Sequence, residues 1–274
     1  MTAHRVSRWL VCWLVLSGPG CAHRAARAPD LLTQFSVIDA LLAGNYDGSL
    51  TCGELRRHGD FGIGTFTALD GEMTVLDGVV YAIRSDGRVE QVPDSETTPF
   101  ATVTFFDPDV AIGWSGGPVS YAVFQEQLRP HLPTPNHFYA VWVYGHFNRV
   151  KTRSVPRQAP PYPPLAEVTK RQSVFEFSDV EGTLVGFWSP PFVKGVNVPG
   201  WHFHFLTRDR TGGGHVLDFE LRGGGIWLDG KSRATILLPE TGAFLETDLA
   251  PDREDELHRV ETDPMESAPA PDAK

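Results

Sequence analysis

Apolar residues in this chain fall into short alternating or continuous runs bounded by glycine, proline and aspartate, a pattern of strands and tight turns. From Phe61 to Ile83 the runs GTFTALD, EMTVLD and VVYAIRSDG are punctuated by Asp-Gly pairs at 70–71, 77–78 and 86–87, which predicts consecutive hairpins. Upstream, Asp30 to Leu42 reads as a helix, with Asp30 as N-cap and Leu31, Phe35, Ile38 and Leu42 on one stripe. Thr51–His58, Ser120–Leu128 and Leu165–Gln172 read as further short helices, the second stopped by Pro130 and Pro133. Phe100–Phe106, Phe138–Phe147, Val150–Val155 and Ala234–Leu238 read as strands, and Pro156–Pro164 as a stiff connector. Val174–Val185 opens a second strand-rich half, in which GTLVG at 182–186 faintly echoes GTFTA at 64–68. Gly223–Gly225 reads as a turn, Thr241–Leu249 and Asp252–Val260 as a helical C-terminus, and Thr262–Lys274 as a disordered tail. The fold class expected is α/β of the α+β kind, with mixed or antiparallel sheets, because no long βαβ alternation occurs. A domain over 30–261 divides into two sheet-rich halves, about 30–165 and 166–261.

The most informative stretch is Asn197 to Leu221, which carries three of the ten histidines. His202 and His204 lie two apart in the apolar run Trp201–Leu206, so on a strand they share a face. A polar, glycine-rich turn, Thr207–Gly214, follows, and His215 opens the next run, to Leu221. A hairpin with this loop returns His215 beside the other two. Three neutral imidazoles on one patch of sheet match the ligand set of a catalytic zinc or similar ion. They leave the ion's positive charge available to stabilise an anion. The ordinary alternative is three structural histidines. His58, His131, His137, His146 and His258 lack such spacing.

Charge and the N-terminus narrow the setting. The net charge of -10 argues against a nucleic-acid partner and gives an anionic substrate no long-range help. Residues 1–21 read as a signal peptide: Arg5 and Arg8 give a positive start, and Trp9–Leu16 is an apolar run too short to span a bilayer. Gly18-Pro19-Gly20-Cys21 resembles a bacterial lipoprotein cleavage site despite its unusual Pro19, with lipid on Cys21 and a linker over 22–29. Removing residues 1–20 takes Arg5 and Arg8, so 24 basic residues become 22 against 34 acidic ones, a net charge of -12. Cys12 leaves as well, and Cys21 and Cys52 then make no intramolecular disulfide. The expected location is therefore outside the cytoplasm, as a periplasmic or cell-envelope lipoprotein.

Several ordered segments, from about Gln34 to Glu261, resemble the acetolactate decarboxylase family: GDFGIGTFTALDGEM, VKTRSVPRQAPPYPPL, FEFSDVEGTLVGFWSP, VKGVNVPGWHFHFLT and GGGHVLDFEL. The resemblance implies a lyase of the acetoin and butanediol route that turns 2-acetolactate into acetoin and carbon dioxide. It implies zinc, with other divalent ions open, on His202, His204 and His215 near the junction of the two halves, and a homodimer.

The resemblance also assigns roles that pattern alone leaves open. Glu72, at a strand start after a tight turn, is by pattern a solvated residue; the matching family segment carries a functional glutamate there. Arg153 shares a strand face with Lys151 and Val155 in an alternating reading and is by pattern either a carboxylate clamp or part of a polar outer face. Arg157 is a second candidate, and the resemblance favours Arg153. Glu261 is by default a surface charge at a helix end, and is the positional match for a late family glutamate that folds back to the metal. In the mechanism so implied, the ion holds the charge of an enediolate, Arg153 orients the carboxylate, and Glu72 or Glu261 relays the proton. Two other classes stay open: a cupin-like or hydrolytic metalloenzyme on the same histidines, and a non-catalytic envelope lipoprotein with a structural metal. Against the cupin reading, Phe205, Leu206, Thr207 and Arg208 follow His204, where a ligand glutamate would stand.

Overall fold

The computed structural model describes residues 30–240 and 242–261. The expected signal peptide, Cys21, the linker and the tail after 261 lie outside the described residues. Among the described residues there are fifteen strands and five α-helices. The first part runs β1 (Leu31–Phe35), α1 (Ile38–Leu42), β2 (Leu50–Thr51), α2 (Cys52–Leu55), β3 (Phe61–Thr65), β4 (Glu72–Leu76), β5 (Val79–Ile83), β6 (Val89–Gln91), β7 (Thr97–Thr98) and β8 (Ala101–Thr104). The second runs β9 (Val110–Trp114), β10 (Val119–Ser120), α3 (Tyr121–Leu128), β11 (Phe138–Ser154), α4 (Leu165–Val168), β12 (Ser173–Ser189), β13 (Gly200–Thr207), β14 (Gly213–Lys231), β15 (Arg233–Leu237) and α5 (Glu254–Glu261).

A seven-stranded sheet has the order β15-β1-β8-β3-β4-β5-β6, antiparallel except for the β1–β15 pair. In the second sheet β11 lies between β12 and β14. β13 pairs both with β12 and with the first residues of β14, so β11 to β14 close into a ring. The ring interior is packed by Val141, Val143, Phe147, Leu184, Phe203, Phe205, Phe219 and Ile226. On its outer face Ala140, Val185 and Phe187 pack against Leu32, Phe61, Ile63 and Leu76 of the seven-stranded sheet.

Four expectations need correction. The chain changes sheets between Thr104 and Val110, not near 165, and returns to the first sheet through β15. Leu31–Phe35 is a strand rather than the start of a helix: it is paired on both edges, by β8 and β15, and Ser36 at φ 63 ends it before α1. Gly223–Gly225 is not a turn but lies inside β14, opposite Tyr144 to His146. A Cβ on Gly224 would lie 2.3 Å from the Tyr144 carbonyl oxygen, so the glycines permit a close strand approach. The two strands expected at 138–147 and 150–155 are one strand, bent at register shifts beside Phe147 and Lys151. By contrast, the Asp-Gly hairpins stand as read, and α2 has a full capping box between Thr51 and Glu54.

Candidate metal centre and active site

β13 and β14 form the hairpin read from the sequence, with His204 directly opposite His215. The ligand nitrogens of His202, His204 and His215 all lie within 4.8 Å of one another. Their rings stand at 4.9 to 5.6 Å between centroids. His204 Nδ1 is 2.7 Å from the Met73 carbonyl oxygen of β4. A carbonyl only accepts, so Nδ1 carries the proton and Nε2 keeps its lone pair for a ligand bond. The contact also ties the ring sheet to the seven-stranded one. His215 Nε2 is buried and has no hydrogen-bond partner, while His202 Nε2 is 3.1 Å from His215 Nδ1. Burial, with Arg153 nearby, pushes His202 down to about 3. Burial likewise holds His204 and His215 well below the usual imidazole range. All three rings are therefore neutral and suited to ligate a cation without first losing a proton.

Three charged groups close around the imidazoles. Glu72 is the first residue of β4 and accepts a 3.0 Å bond from Arg153 Nη1 at Oε1. Its Oε2 lies 3.7 Å from His204 Nε2. Glu261 is the last residue of α5, a helix seated through Leu257 and Val260. Its Oε2 is 3.7 Å from His202 Nε2 and 3.8 Å from His215 Nε2, and its Oε1 is 4.0 Å from Arg153 Nη2. Arg153, paired with His215 between β11 and β14, also donates from Nη2 to the Val260 carbonyl at 3.1 Å, and its Nε has no partner. Burial raises both carboxyls to about 7 against the pull of Arg153; Glu261 adds to the rise at Glu72. Two carboxylates thus share one guanidinium beside three neutral donors, an arrangement with a place for a positive ion.

The geometry gathers Glu72, Arg153, Glu261 and the three histidines into one cavity of ≈ 40 Å³. Lys151 does not line it, although Arg153 and Val155 do. Arg157 stands outside, its exposed side chain 3.2 Å from Asp70. The rest of the wall was not singled out from the sequence: Ile38, Leu41, Gly64, Thr65, Leu69, Phe100, Val155 and Leu165. These residues come from five separate stretches, and no spacing links them. One local signal exists only in three dimensions: Ala68 and Leu69, both non-glycine, have φ of 63 and 53.

His202, His204 and His215 form a group that could hold a metal ion, with acid and guanidinium partners beside it, the kind of constellation found in an enzyme active site. A sequence model of the alpha-acetolactate decarboxylase family matches residues 32–251. The chain is 49% identical over 228 residues to the alpha-acetolactate decarboxylase of Methylococcus capsulatus, covering 83% of this chain and 87% of the relative. It is 50% identical over 234 residues to that of Methanosarcina mazei, covering 85% and 81%. The crystal structure of alpha-acetolactate decarboxylase from Bacillus subtilis strain 168 superposes with a TM-score of 0.83 at 36% identity, over 85% of this chain and all of that one. The chain belongs to the alpha-acetolactate decarboxylase family and is an enzyme of that family. The family match includes Glu72, Arg153 and the three histidines and ends before Glu261.

Proposed function

We propose that this chain converts 2-acetolactate to acetoin and carbon dioxide, with a divalent ion, zinc in the first place, held by His202, His204 and His215. The observation that carries this reading is the convergence of three neutral imidazoles, two high-pKa carboxyls and one buried guanidinium on a single small cavity. When bound, the ion supplies Lewis-acid stabilisation of the negative charge that develops on the substrate's oxygens. Arg153 holds the substrate carboxylate, and its unpartnered Nε is a free donor for that contact. The bond from C2 to the carboxylate carbon breaks, carbon dioxide leaves, and the electron pair stays behind as an enediolate. Glu72 or Glu261, whose carboxyls burial raises above the usual range, delivers a proton from a carboxyl oxygen to the enediolate carbon, forming acetoin. The buried walls keep bulk water from competing for that carbanion-like centre.

The test is acetoin formation from racemic acetolactate by the purified chain, before and after chelation and after return of zinc or manganese. Loss on chelation and recovery with metal supports the reading. Full turnover in metal-free protein removes the ion from it, and absence of acetoin in all conditions removes the activity. The N-terminal pattern supports export with lipid on Cys21, and Cys21→Ala then frees the protein from membranes. The homodimer rests on family resemblance and is open to sedimentation analysis.

A further inference from the structure

We propose that Leu69 is a specificity-determining residue that fixes how large an alkyl group the cavity accepts; this rests on the decarboxylase reading above. The first observation is backbone strain. Ala68 and Leu69 are consecutive residues in the left-handed region, which is costly for side chains bearing a Cβ. The turn is held there by its neighbours: Ala68 N–H donates to the Tyr46 carbonyl at 2.8 Å, Gln158 N–H to the Ala68 carbonyl at 2.7 Å, and Gly71 N–H to the Leu69 carbonyl at 2.7 Å. Glycine would take this backbone conformation without steric strain, yet a leucine stands here, with 1% of its surface exposed and its place on the cavity wall.

The second observation is the division of that wall. The three histidines, Arg153, Glu72 and Glu261 supply its polar part, and Leu69, Phe100, Val155 and Leu165 are among its apolar members. Acetolactate carries its carboxylate, hydroxyl and carbonyl on adjoining carbons, with a methyl group at either side. Once the oxygens meet the polar groups, the methyl groups meet the apolar ones. The strained turn delivers Leu69 and the acid Glu72 to the same cavity from one short stretch, so the alkyl gauge is rigidly registered to the chemistry. Leu69 lines this cavity, so one methylene added to the substrate's alkyl side meets its side chain.

The test compares kcat/KM for acetolactate and for its homologue with ethyl in place of the C2 methyl, using zinc-loaded full-length protein. In wild type the methyl substrate is preferred, and Leu69→Ala raises the ethyl-to-methyl ratio by roughly 10-fold or more, the discrimination one methylene typically carries. Leu69→Gly, which empties the same space and relieves the strain, shifts the ratio in the same direction and guards against an Ala variant that folds poorly. An unchanged ratio in both variants overturns the proposal, as does a shift produced by Leu165→Ala but not by either Leu69 variant. Acetoin formation by wild type is read in the same assay, so failure of the decarboxylase reading is separable from failure of this one.

Discussion

Two clusters of buried ionisable groups lie by the two ends of β14, and they are built to different rules. Near its C-terminal end, Lys231 Nζ sits 2.6 Å from Asp229 Oδ2 and donates to the Phe105 carbonyl at 3.1 Å, while Asp107 N–H donates to the same Asp229 oxygen at 2.8 Å. The Lys231 cation lies directly against the Asp229 carboxyl, with Asp109 close by. Asp229 Oδ1 alone lacks a partner. At the N-terminal end, Arg153 faces both Glu72 and Glu261, and the three imidazoles beside them are neutral. The first cluster pairs Lys231 with Asp229 within the protein. The second sets two carboxyls against one guanidinium and keeps a buried nitrogen at His215 without a hydrogen-bond partner. The unpartnered imidazole nitrogen beside two carboxyls is what supports the proposal that the second cluster seats a ligand.

The comparison breaks most sharply at the imidazoles. His202→Ala, His204→Ala and His215→Ala each lose activity by roughly 100-fold or more, because two imidazoles hold a divalent ion weakly; acetoin assays with metal analysis check this. Arg153→Lys keeps the metal and the charge but loses the planar fork, so kcat falls by about 100-fold with a smaller change in KM. Arg157→Lys, exposed and outside the cavity, stays near wild type. At the other cluster the readout is stability. Lys231→Met strands the Asp229 carboxylate and costs about 3–5 kcal/mol, roughly 6–20 °C in melting temperature. Lys231→Met with Asp229→Leu regains most of it, and metal content is unchanged in both.

A further effect is on the pH dependence of stability. Glu72 and Glu261 have folded values of about 7 against 4.5 in the unfolded chain. A raised folded value means stability that is fully present below pH 4.5 and lost as pH rises through 7. Metal-free protein should therefore melt at progressively lower temperature from pH 4.5 to 7, and zinc should remove that slope. Differential scanning calorimetry at several pH values separates the two forms.

Local signals made the hairpins and the histidine patch legible, because Asp-Gly turns and a strand-spaced His pair encode geometry within a few residues. Leu31–Phe35 misled because its i, i+4 leucine and phenylalanine fit a helix; the pairing that decides it comes from β15, some 200 residues away. The Gly223–Gly225 run misled because three glycines mark a turn as readily as a close strand contact, and Tyr144 and Gly145 supply that contact. The strand β9 went unread between the Asp107-Pro108-Asp109 loop and the Gly116-Gly117 loop, with only alternate residues half-buried. At the site, Glu72, Arg153 and Glu261 drew meaning from family resemblance, since each has a solvated alternative by pattern. The partners that bury them lie on α5, β4 and β11, brought together only by tertiary structure.

Metal stoichiometry of the purified, dialysed protein and of His204→Ala, measured by inductively coupled plasma mass spectrometry, tests the proposed metal seat most directly. One equivalent of a divalent ion per wild-type chain and none in the folded variant is the predicted result. One equivalent retained by His204→Ala, or none bound by wild type after incubation with zinc, would contradict it.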